Sequence, residues 1–371
     1  GLITSLLEFC FPSLNIGMDL DFSCLEETDL VKILFSEKVG LILQSNFDLN
    51  SSFSKNGIKA FKIGFVNQRS SLKIGNNNIS INEMRKEWMK TSTQFELKQT
   101  NIELALLRLD NVLKQPLKFK FPIEFHGKRP LQKVKRLNAA VIREKGSNSE
   151  REMAYMMDLC GFKVRDVHMT DLIEGRETLE DIQLLVAVGG FSNSDVLGSA
   201  KGWAGAFKYN TKAKAALENF FSRTDTLSLG VCNGCQLFIE LGLLYTNHTQ
   251  KPKMMHNKSG KFECIFTAVN IKPSSSIMLK GLEGSILGIW AAHGEGRFSF
   301  PKAEINYQIP AKYLYEEYPS NPNGSDFNAA MLVSDNGRHL VMMPHLERST
   351  FPWNWGHYPY NRKDEVSPWV L

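Results

Sequence analysis

One short run limits the possible folds more than any other part of the sequence. A strand-like stretch ends at a cysteine between small residues and continues directly into an apolar helix-like stretch, Leu229-Gly230-Val231-Cys232-Asn233-Gly234-Cys235-Gln236-Leu237. This pattern is typical of the nucleophile elbow of α/β enzymes, with sulfur in place of oxygen. The small neighbours allow a sharp turn that holds Cys232 at the sheet edge. The positive end of the following helix favours its thiolate, which is the attacking form.

The sequence around this run predicts an α/β domain. From residue 138 onward, strand-like and helix-like segments alternate: residues 139–142, 162–164, 184–188 and 227–231 predict strands, and residues 150–160 and 212–222 predict helices. Such alternation predicts a doubly wound, mostly parallel sheet. Because functional loops of these sheets lie at the carboxyl ends of the strands, Cys232 is expected at that edge.

The first third of the chain has a different pattern, in which β-rich runs are mixed with helical ones. Residues 39–43 and 61–66 predict strands, and residues 26–36 and 82–99 predict helices, which together indicate an α+β segment. We therefore expect a first domain over residues 1–121, a basic linker over 122–137 and a second domain over 138–371. A length of 371 residues also favours two domains.

Composition excludes several classes of protein. Hydrophobic residues make up 43% of the chain, which is ample for buried cores. The net charge of +5 is too thinly spread to indicate nucleic acid or an anionic membrane as the main partner, and the basic linker has no aromatic stacking platform. We expect neither a membrane span nor a signal peptide. Six irregularly spaced cysteines indicate a reducing cytoplasm, and a start at Gly1 instead of Met suggests a fragment of a longer protein.

A thiolate nucleophile needs a base that can also protonate the leaving group, and that base needs an orienting carboxylate. Both lie in Met342-Met343-Pro344-His345-Leu346-Glu347-Arg348, at the end of a predicted apolar strand, His339 to Met343. Residues at i and i+2 of an extended chain share a side, and Pro344 favours an extended approach, so His345 and Glu347 are the candidates. A histidine after a strand more often has a structural role. His345 becomes a catalytic candidate only because the sequence also contains the cysteine elbow.

A third candidate element, Val188-Gly189-Gly190-Phe191-Ser192, also follows a predicted strand. Adjacent glycines let backbone N–H groups approach a ligand oxygen, which suits an oxyanion hole completed by the amide of Asn233. A phosphate-binding loop is the alternative, and it is less favoured because the Lys-Ser/Thr ending is absent. The pair Cys232 and Cys235 also fits a redox pair or half of a zinc site, but no second cysteine pair has metal-binding spacing.

Four runs carry a resemblance to a known family: Gly189-Gly190-Phe191-Ser192-Asn193-Ser194-Asp195-Val196-Leu197-Gly198-Ser199-Ala200-Lys201-Gly202-Trp203-Ala204, Gly230-Val231-Cys232-Asn233-Gly234-Cys235-Gln236, Ala292-His293-Gly294-Glu295-Gly296-Arg297-Phe298 and Met343-Pro344-His345-Leu346-Glu347-Arg348. In this order they resemble the glutaminase domain of the large, single-chain phosphoribosylformylglycinamidine synthases. These are class I, triad-type glutamine amidotransferases with a flavodoxin-like sheet.

The resemblance implies roles for residues of this chain. Cys232 is expected to be the nucleophile, His345 the acid and base, and Glu347 its orienting carboxylate. The turn at Gly190 and Phe191 is expected to form part of the oxyanion hole and glutamine pocket. Asn233 and Gln236 are expected beside it, and residues 293–297 are expected to border the pocket and to bind or signal rather than catalyse.

The resemblance also implies a larger reaction. Residues 1–121 resemble the end of the synthetase part, an incomplete ATP-binding-type repeat, and only a short helix is expected to be missing after residue 371. The whole enzyme would use glutamine, ATP and Mg²⁺ to convert formylglycinamide ribonucleotide into formylglycinamidine ribonucleotide in purine biosynthesis. The residues for ATP, Mg²⁺ and that ribonucleotide are expected mostly upstream. The glutaminase step itself is expected to need no metal or cofactor.

Two other classes of function remain open from the sequence. A cysteine elbow with a histidine serves amide hydrolysis in general, so a cysteine amide hydrolase or peptidase on the same fold is one alternative. An inactive interaction module, in which the motif survives only as packing, is the other.

Overall fold

The computed structural model describes residues 1–131 and 136–371. It divides into one compact unit of Gly1–Lys98 and Leu109–Lys114 and a second of Gln99–Arg108 and Gln115–Leu371. Residues 132–135 of the predicted linker lie outside the described residues. The assignment of 1–121 and 138–371 to a synthetase part and a glutaminase domain stays a prediction, because compactness alone does not identify what a unit does.

The first unit is an α+β layer, as expected. Its elements are α1 (Leu2–Cys10), β1 (Gly17–Leu20), α2 (Leu30–Phe35), α3 (Asn50–Lys55), β2 (Gly64–Asn67), β3 (Ser71–Ile74), β4 (Asn77–Ser80) and α4 (Ile81–Gln99, whose last residue falls in the second unit). The sheet order is β2-β1-β3-β4, with β1 parallel to β3 and the other pairs antiparallel. Its core includes Leu6, Leu72 and Ile81, which are almost fully buried.

Two predictions in this unit need correction. Residues 39–43 form no strand, and Val39 and Leu41 are exposed. An apolar run becomes a strand only where another strand pairs with it, and the four-stranded sheet of this unit does not include residues 39–43. The first predicted helix begins at Leu30 instead of residue 26, because the carboxylate of Asp29 accepts hydrogen bonds from the N–H groups of Val31 (2.9 Å) and Lys32 (3.3 Å) and so caps the helix there.

The second unit contains the predicted doubly wound domain. Its first elements are α5 (Ile102–Asn111, shared with the first unit), β5 (Asn138–Arg143), α6 (Glu150–Leu159), β6 (Lys163–His168), α7 (Met169–Glu174), β7 (Leu184–Ala187), α8 (Lys201–Tyr209), α9 (Thr211–Ser222), β8 (Leu227–Val231) and α10 (Asn233–Leu241). Strands β6, β5, β7 and β8 are neighbours in the sheet and run parallel. The α/β class and the parallel sheet are confirmed.

The same sheet continues through the strand predicted before His345 and then through four described strands that the sequence analysis did not anticipate. The remaining elements are β9 (Lys253–Met255), β10 (Glu263–Ile271), β11 (Ile286–His293), β12 (Arg297–Ser299), β13 (Gln308–Tyr313), β14 (Ala329–Val333) and β15 (His339–Met342). Of these, β9 and β12 pair with each other in a separate two-stranded sheet. The sheet order is β11-β10-β13-β14-β15-β8-β7-β5-β6, in which β15 is parallel to β8 and the pairs beyond it are antiparallel. No described helix is both long and apolar enough to cross a membrane.

Two glycines allow α10 to lie directly against the strands. A Cβ atom on Gly234 would lie 2.0 Å from the carbonyl oxygen of Ala187 in β7, and one on Gly230 would lie 2.6 Å from the carbonyl oxygen of Gly234. Both distances are far inside van der Waals contact, and both partners are backbone atoms that cannot move separately. The small residues around the elbow are therefore required by close packing.

We predict that Gly234→Ala lowers the free energy of unfolding by about 1–3 kcal/mol, the usual range for overpacking a core. The matched control is Gly205→Ala within α8, where the nearest atom to a Cβ is 3.9 Å away, and this change is expected to stabilise the helix by about 0.5–1 kcal/mol. Urea unfolding of the three proteins measures both effects. Equal stability of the two variants would show that the elbow is not closely packed.

Candidate active site

Cys232 occupies a strained turn between β8 and α10. Its φ of +52° and ψ of −106° lie outside the regions that non-glycine residues favour, a conformation that costs about 1–3 kcal/mol. The turn is held by a hydrogen bond from the Cys232 N–H to the Met342 carbonyl oxygen (2.8 Å), and the thiol donates to the Ala292 carbonyl oxygen at 3.6 Å. The structure thus has the elbow geometry that the sequence predicts.

His345 arrives beside Cys232 because β8 and β15 are adjacent parallel strands. Met342 pairs with Val231, so the chain that leaves each strand emerges at the same edge of the sheet. The backbone N–H of His345 donates to the Trp290 carbonyl oxygen (2.7 Å), which fixes the chain after Pro344. Nδ1 of His345 lies 2.6 Å from Oε1 of Glu347, and both side chains are buried.

The electrostatics of this buried pair favour a charged imidazole. Burial by itself would lower the pKa of His345, but the carboxylate of Glu347 and the neighbouring Cys232 raise that pKa to about 10. Burial acts to raise the pKa of Glu347, and the interaction with His345 outweighs it, so that this pKa is lowered. At neutral pH the pair is therefore an imidazolium and a carboxylate.

The remaining ring nitrogen of His345 is on the cysteine side. Among the described residues, Nε2 has no partner at ordinary hydrogen-bond geometry, although Cys232 contributes both charge and hydrogen bonding to the raised pKa of His345. Cys232 and His345 therefore interact, but not through a hydrogen bond of ordinary geometry. The structure brings Cys232, His345 and Glu347 together in one place.

The loop after β7 lies against both reactive side chains. A Cβ atom on Gly189 would be 2.7 Å from Cε1 of His345 and 3.4 Å from the Cβ of Cys232. Gly190 has a φ of +125°, and a Cβ there would be 2.5 Å from the backbone nitrogen of Asn148. A larger residue at either position would displace the histidine or the loop.

The backbone donors near this loop differ in availability. The N–H of Phe191 donates to the Gly146 carbonyl oxygen (2.8 Å), so it is already used. The N–H of Gly190 makes no hydrogen bond within the described residues. Asn233 is the first residue of α10, where backbone N–H groups have no acceptor inside the helix. Of the three backbone donors that the sequence suggests for an oxyanion hole, those of Gly190 and Asn233 are therefore unused within the described residues, and that of Phe191 is not.

The side chains of Asn233 and Gln236 tie three segments together. Oδ1 of Asn233 accepts from the Ser192 N–H (3.2 Å), and its Nδ2 donates to Oε1 of Gln236 (2.9 Å). Nε2 of Gln236 then donates to the Glu295 carbonyl oxygen (2.9 Å). Both side chains are buried, and they hold the loops around the cysteine in register.

A cavity of about 280 Å³ opens onto these residues, close to the lower end of the roughly 300–1,000 Å³ range of small-molecule sites. Gly190, Phe191, Cys232, Gln236 and His345 line it, together with further residues that include Asn148, Asp195, His293, Glu295 and Arg348. Asn148 and Arg348 join through a hydrogen bond between segments far apart in sequence (2.7 Å), which no local pattern could indicate.

Other candidate sites have less support. A cavity of about 610 Å³ in the first unit has no cysteine or histidine in its lining, so the smaller cavity is the better candidate for chemistry. Across residues 1–131 and 136–371, no three His, Cys, Asp or Glu side chains are grouped to hold a metal ion. Cys235 is fully buried within α10 and makes no disulfide with Cys232.

The fold and this site define a cysteine-dependent α/β enzyme, and comparison with known families names its class. A family model described as the CobB/CobQ-like glutamine amidotransferase domain matches residues 136–371. The match covers more than half of the chain, and the chain belongs to this family.

Similar proteins have been named more specifically. The chain is 36% identical to a phosphoribosylformylglycinamidine synthase of Dictyostelium discoideum and 34% identical to that of Homo sapiens, in each case over 100% of the chain and 31% of the relative. It is 38% identical to a probable phosphoribosylformylglycinamidine synthase, chloroplastic/mitochondrial, of Arabidopsis thaliana, over 100% of the chain and 28% of the relative. The resemblance stated from the four runs is confirmed. The chain spans less than a third of the length of these relatives.

A solved structure supports the fold. The structure of PurLQS from Thermotoga maritima matches with a TM-score of 0.50 and 24% identity, and the match covers 64% of this chain and 96% of that one. At this identity the likeness shows the fold alone.

We predict that Glu347→Gln lowers the pKa of His345 from about 10, because the opposing carboxylate is lost while burial still disfavours the imidazolium. Nuclear magnetic resonance of the histidine rings measures the titration. His339, whose pKa burial lowers to about 4, is an internal control that should not change. If His345 titrates in the ordinary range in the unmodified protein, the account of the buried pair is wrong.

The same shift has a consequence for stability. The pKa of His345 is raised from 6.5 to about 10 in the folded protein. The charged imidazole therefore contributes its full stabilisation of the folded state below pH 6.5, and this contribution is lost as the pH rises through about 10. The difference in free energy of unfolding between the unmodified protein and Glu347→Gln should therefore shrink over that window.

Proposed function

We propose that residues 138–371 are a glutaminase domain in which Cys232 attacks the side-chain amide of glutamine. The observation that carries this proposal is the meeting of a thiol on a strained elbow with a buried imidazolium–carboxylate pair beside one cavity. Membership of a glutamine amidotransferase family is the reason for proposing glutamine as the substrate. Cys232 is the proposed nucleophile, His345 the acid and base, and Glu347 the residue that orients His345.

The first half of the reaction forms a thioester. The Cys232 thiolate adds to the amide carbon, and the oxyanion receives hydrogen bonds from the N–H groups of Gly190 and Asn233. His345 then gives its Nε2 proton to the amide nitrogen, the C–N bond breaks and ammonia leaves. One well-placed oxyanion donor contributes about 3–4 kcal/mol to such a step. Because Phe191 uses its own N–H elsewhere, its proposed part is to shape the pocket rim.

The second half releases glutamate. Neutral His345 takes a proton from water as the oxygen adds to the thioester, and collapse of the intermediate breaks the C–S bond. This returns the thiolate and the imidazolium, and the glutamic acid formed loses its proton to solvent. Glu347 keeps the ring oriented throughout and stabilises its charged form.

The charges around the cavity suit an amino acid, which carries both an ammonium and a carboxylate. Burial and the nearby Glu295 raise the pKa of Asp195, and Oδ1 of Asp195 has no hydrogen-bond partner among the described residues, so a bound ammonium would relieve this carboxylate. Arg348, held by Asn148, offers a cation for the substrate carboxylate. An extended peptide would leave these groups unused, which favours glutamine over a peptidase substrate.

We propose that the ammonia serves a carbon–nitrogen ligase reaction of a longer protein. By resemblance, that reaction is the ATP-dependent conversion of formylglycinamide ribonucleotide to formylglycinamidine ribonucleotide in purine biosynthesis. Residues 1–121 would be the end of the synthetase part, while the residues for ATP, Mg²⁺ and the ribonucleotide would lie elsewhere. A dry path for ammonia is needed because bulk water at neutral pH protonates it. The free cysteines suit a reducing compartment such as the cytoplasm.

We predict that a diazoketone analogue of glutamine alkylates Cys232 and that glutamine protects it. Cys232→Ser should lose this labelling completely. Cys235→Ser is the matched control, because its thiol is fully buried behind the elbow, and it should keep both labelling and protection. Mass spectrometry of the digested protein locates the label.

Competing ligands separate the alternatives in the same assay. Glutaramate, which lacks the ammonium group, and short peptides should protect poorly. Protection by peptides instead of glutamine would favour a peptidase, and an inert Cys232 would favour an interaction module. Equal loss in Cys235→Ser and Cys232→Ser would favour a redox pair.

A further inference from the structure

His293 is a buried histidine that the proposed mechanism does not use. It is the last residue of β11, 2% exposed, and it belongs to the lining of the cavity that contains Cys232 and His345. The residue before it, Ala292, provides the carbonyl oxygen that accepts from the Cys232 thiol. His293 therefore lies next to the reacting centre and needs its own explanation.

Neighbouring amides determine which nitrogen of His293 carries the proton. The backbone N–H of Ser325 donates to Oδ1 of Asn323 (3.0 Å), which fixes the orientation of that amide. Nδ2 of Asn323 then faces Nε2 of His293 (3.1 Å) and also donates to the Tyr313 hydroxyl (3.1 Å). An amide nitrogen can only donate, so Nε2 accepts and the proton of the neutral ring is on Nδ1.

Because Nε2 is occupied, Nδ1 is the ring nitrogen of His293 that remains for a molecule bound in the cavity, which His293 lines. A Cβ atom on Gly296 would lie 2.4 Å from Cδ2 and 2.6 Å from Nε2, so the backbone of Gly296 covers that edge. Nδ1 itself is buried and has no hydrogen-bond partner within the described residues. A buried donor without a partner is unfavourable, and an arriving acceptor would remove that penalty.

The ring is also neutral at physiological pH. Burial, with a smaller contribution from the charged His345, lowers the pKa of His293 to about 3. A neutral donor beside an imidazolium adds no second positive charge to the site. It can therefore bind an uncharged oxygen without competing with His345 for the proton.

We propose that His293 is a substrate-binding residue whose Nδ1–H donates a hydrogen bond to an oxygen atom of bound glutamine, with Asn323 as the residue that holds the required tautomer. This proposal rests on the glutaminase function proposed above. It gives His293 a specific role, where the resemblance implied only that residues 293–297 border the pocket and bind or signal.

The test measures the glutamine concentration that half-protects Cys232 from the diazoketone analogue. His293→Ala, which removes the donor, should raise this concentration about tenfold or more. His293→Asn, which keeps an N–H near the position of Nδ1, should recover most of that loss. Alkylation of Cys232 by iodoacetamide, which makes no use of the glutamine pocket, verifies that the elbow is intact in each variant.

The outcomes separate this proposal from the one on which it depends. If glutamine fails to protect the unmodified protein, the glutaminase function itself is wrong. If it protects the unmodified protein and His293→Ala equally well, only the role of His293 is wrong.

A second measurement needs no variant and so still tests the proposal if His293→Ala does not fold. Histidine ring ¹⁵N resonances of the unmodified protein should show His293 protonated at Nδ1 and not at Nε2, and saturating glutamine should shift the Nδ1–H signal. A proton on Nε2, or a signal that glutamine leaves unchanged, overturns the proposal.

Discussion

The parallel pairing of β8 with β15 is the constraint on which the site depends. Cys232 and His345 are far apart in sequence, yet Met342 pairs with Val231, so both side chains leave the sheet at one edge. A shift of the register by one residue would reverse the side on which every side chain of β15 lies. The thiol, the imidazole and the carboxylate meet because this one pair of strands is aligned.

Packing around that pair explains why the local sequence is so rich in glycine. Gly189 lets the loop after β7 lie against His345 and Cys232, Gly230 and Gly234 let α10 approach the sheet, and none of these positions has room for a Cβ. The strained backbone of Cys232 is held between the Met342 carbonyl and the start of α10. The buried charges of His345 and Glu347 stabilise each other, and removing either partner would leave an uncompensated buried charge, which costs about 3–5 kcal/mol.

Local patterns predicted the elements that recur in many proteins, namely the alternating strands and helices, the cysteine elbow and the histidine–carboxylate pair. They did not predict features that depend on distant partners. The antiparallel strands β10, β11, β13 and β14 extend the sheet through pairings with no local signature, and residues 39–43 are apolar without a strand to pair with. Asn148 and Arg348 reach the cavity only through the tertiary fold. The hydrogen bond from the Phe191 N–H to the Gly146 carbonyl oxygen likewise depends on the tertiary structure, and no local pattern indicates it.

We propose that Cys232 becomes covalently attached to the γ-glutamyl group of glutamine during the reaction. Incubation of the chain with glutamine, rapid quenching in acid and mass spectrometry of the digested protein test this most directly, because a thioester survives acid. The proposed mechanism requires a glutamyl adduct on Cys232, and this adduct should be absent from Cys232→Ser. Glutamate production without any adduct on Cys232, or an adduct on another residue, would contradict it.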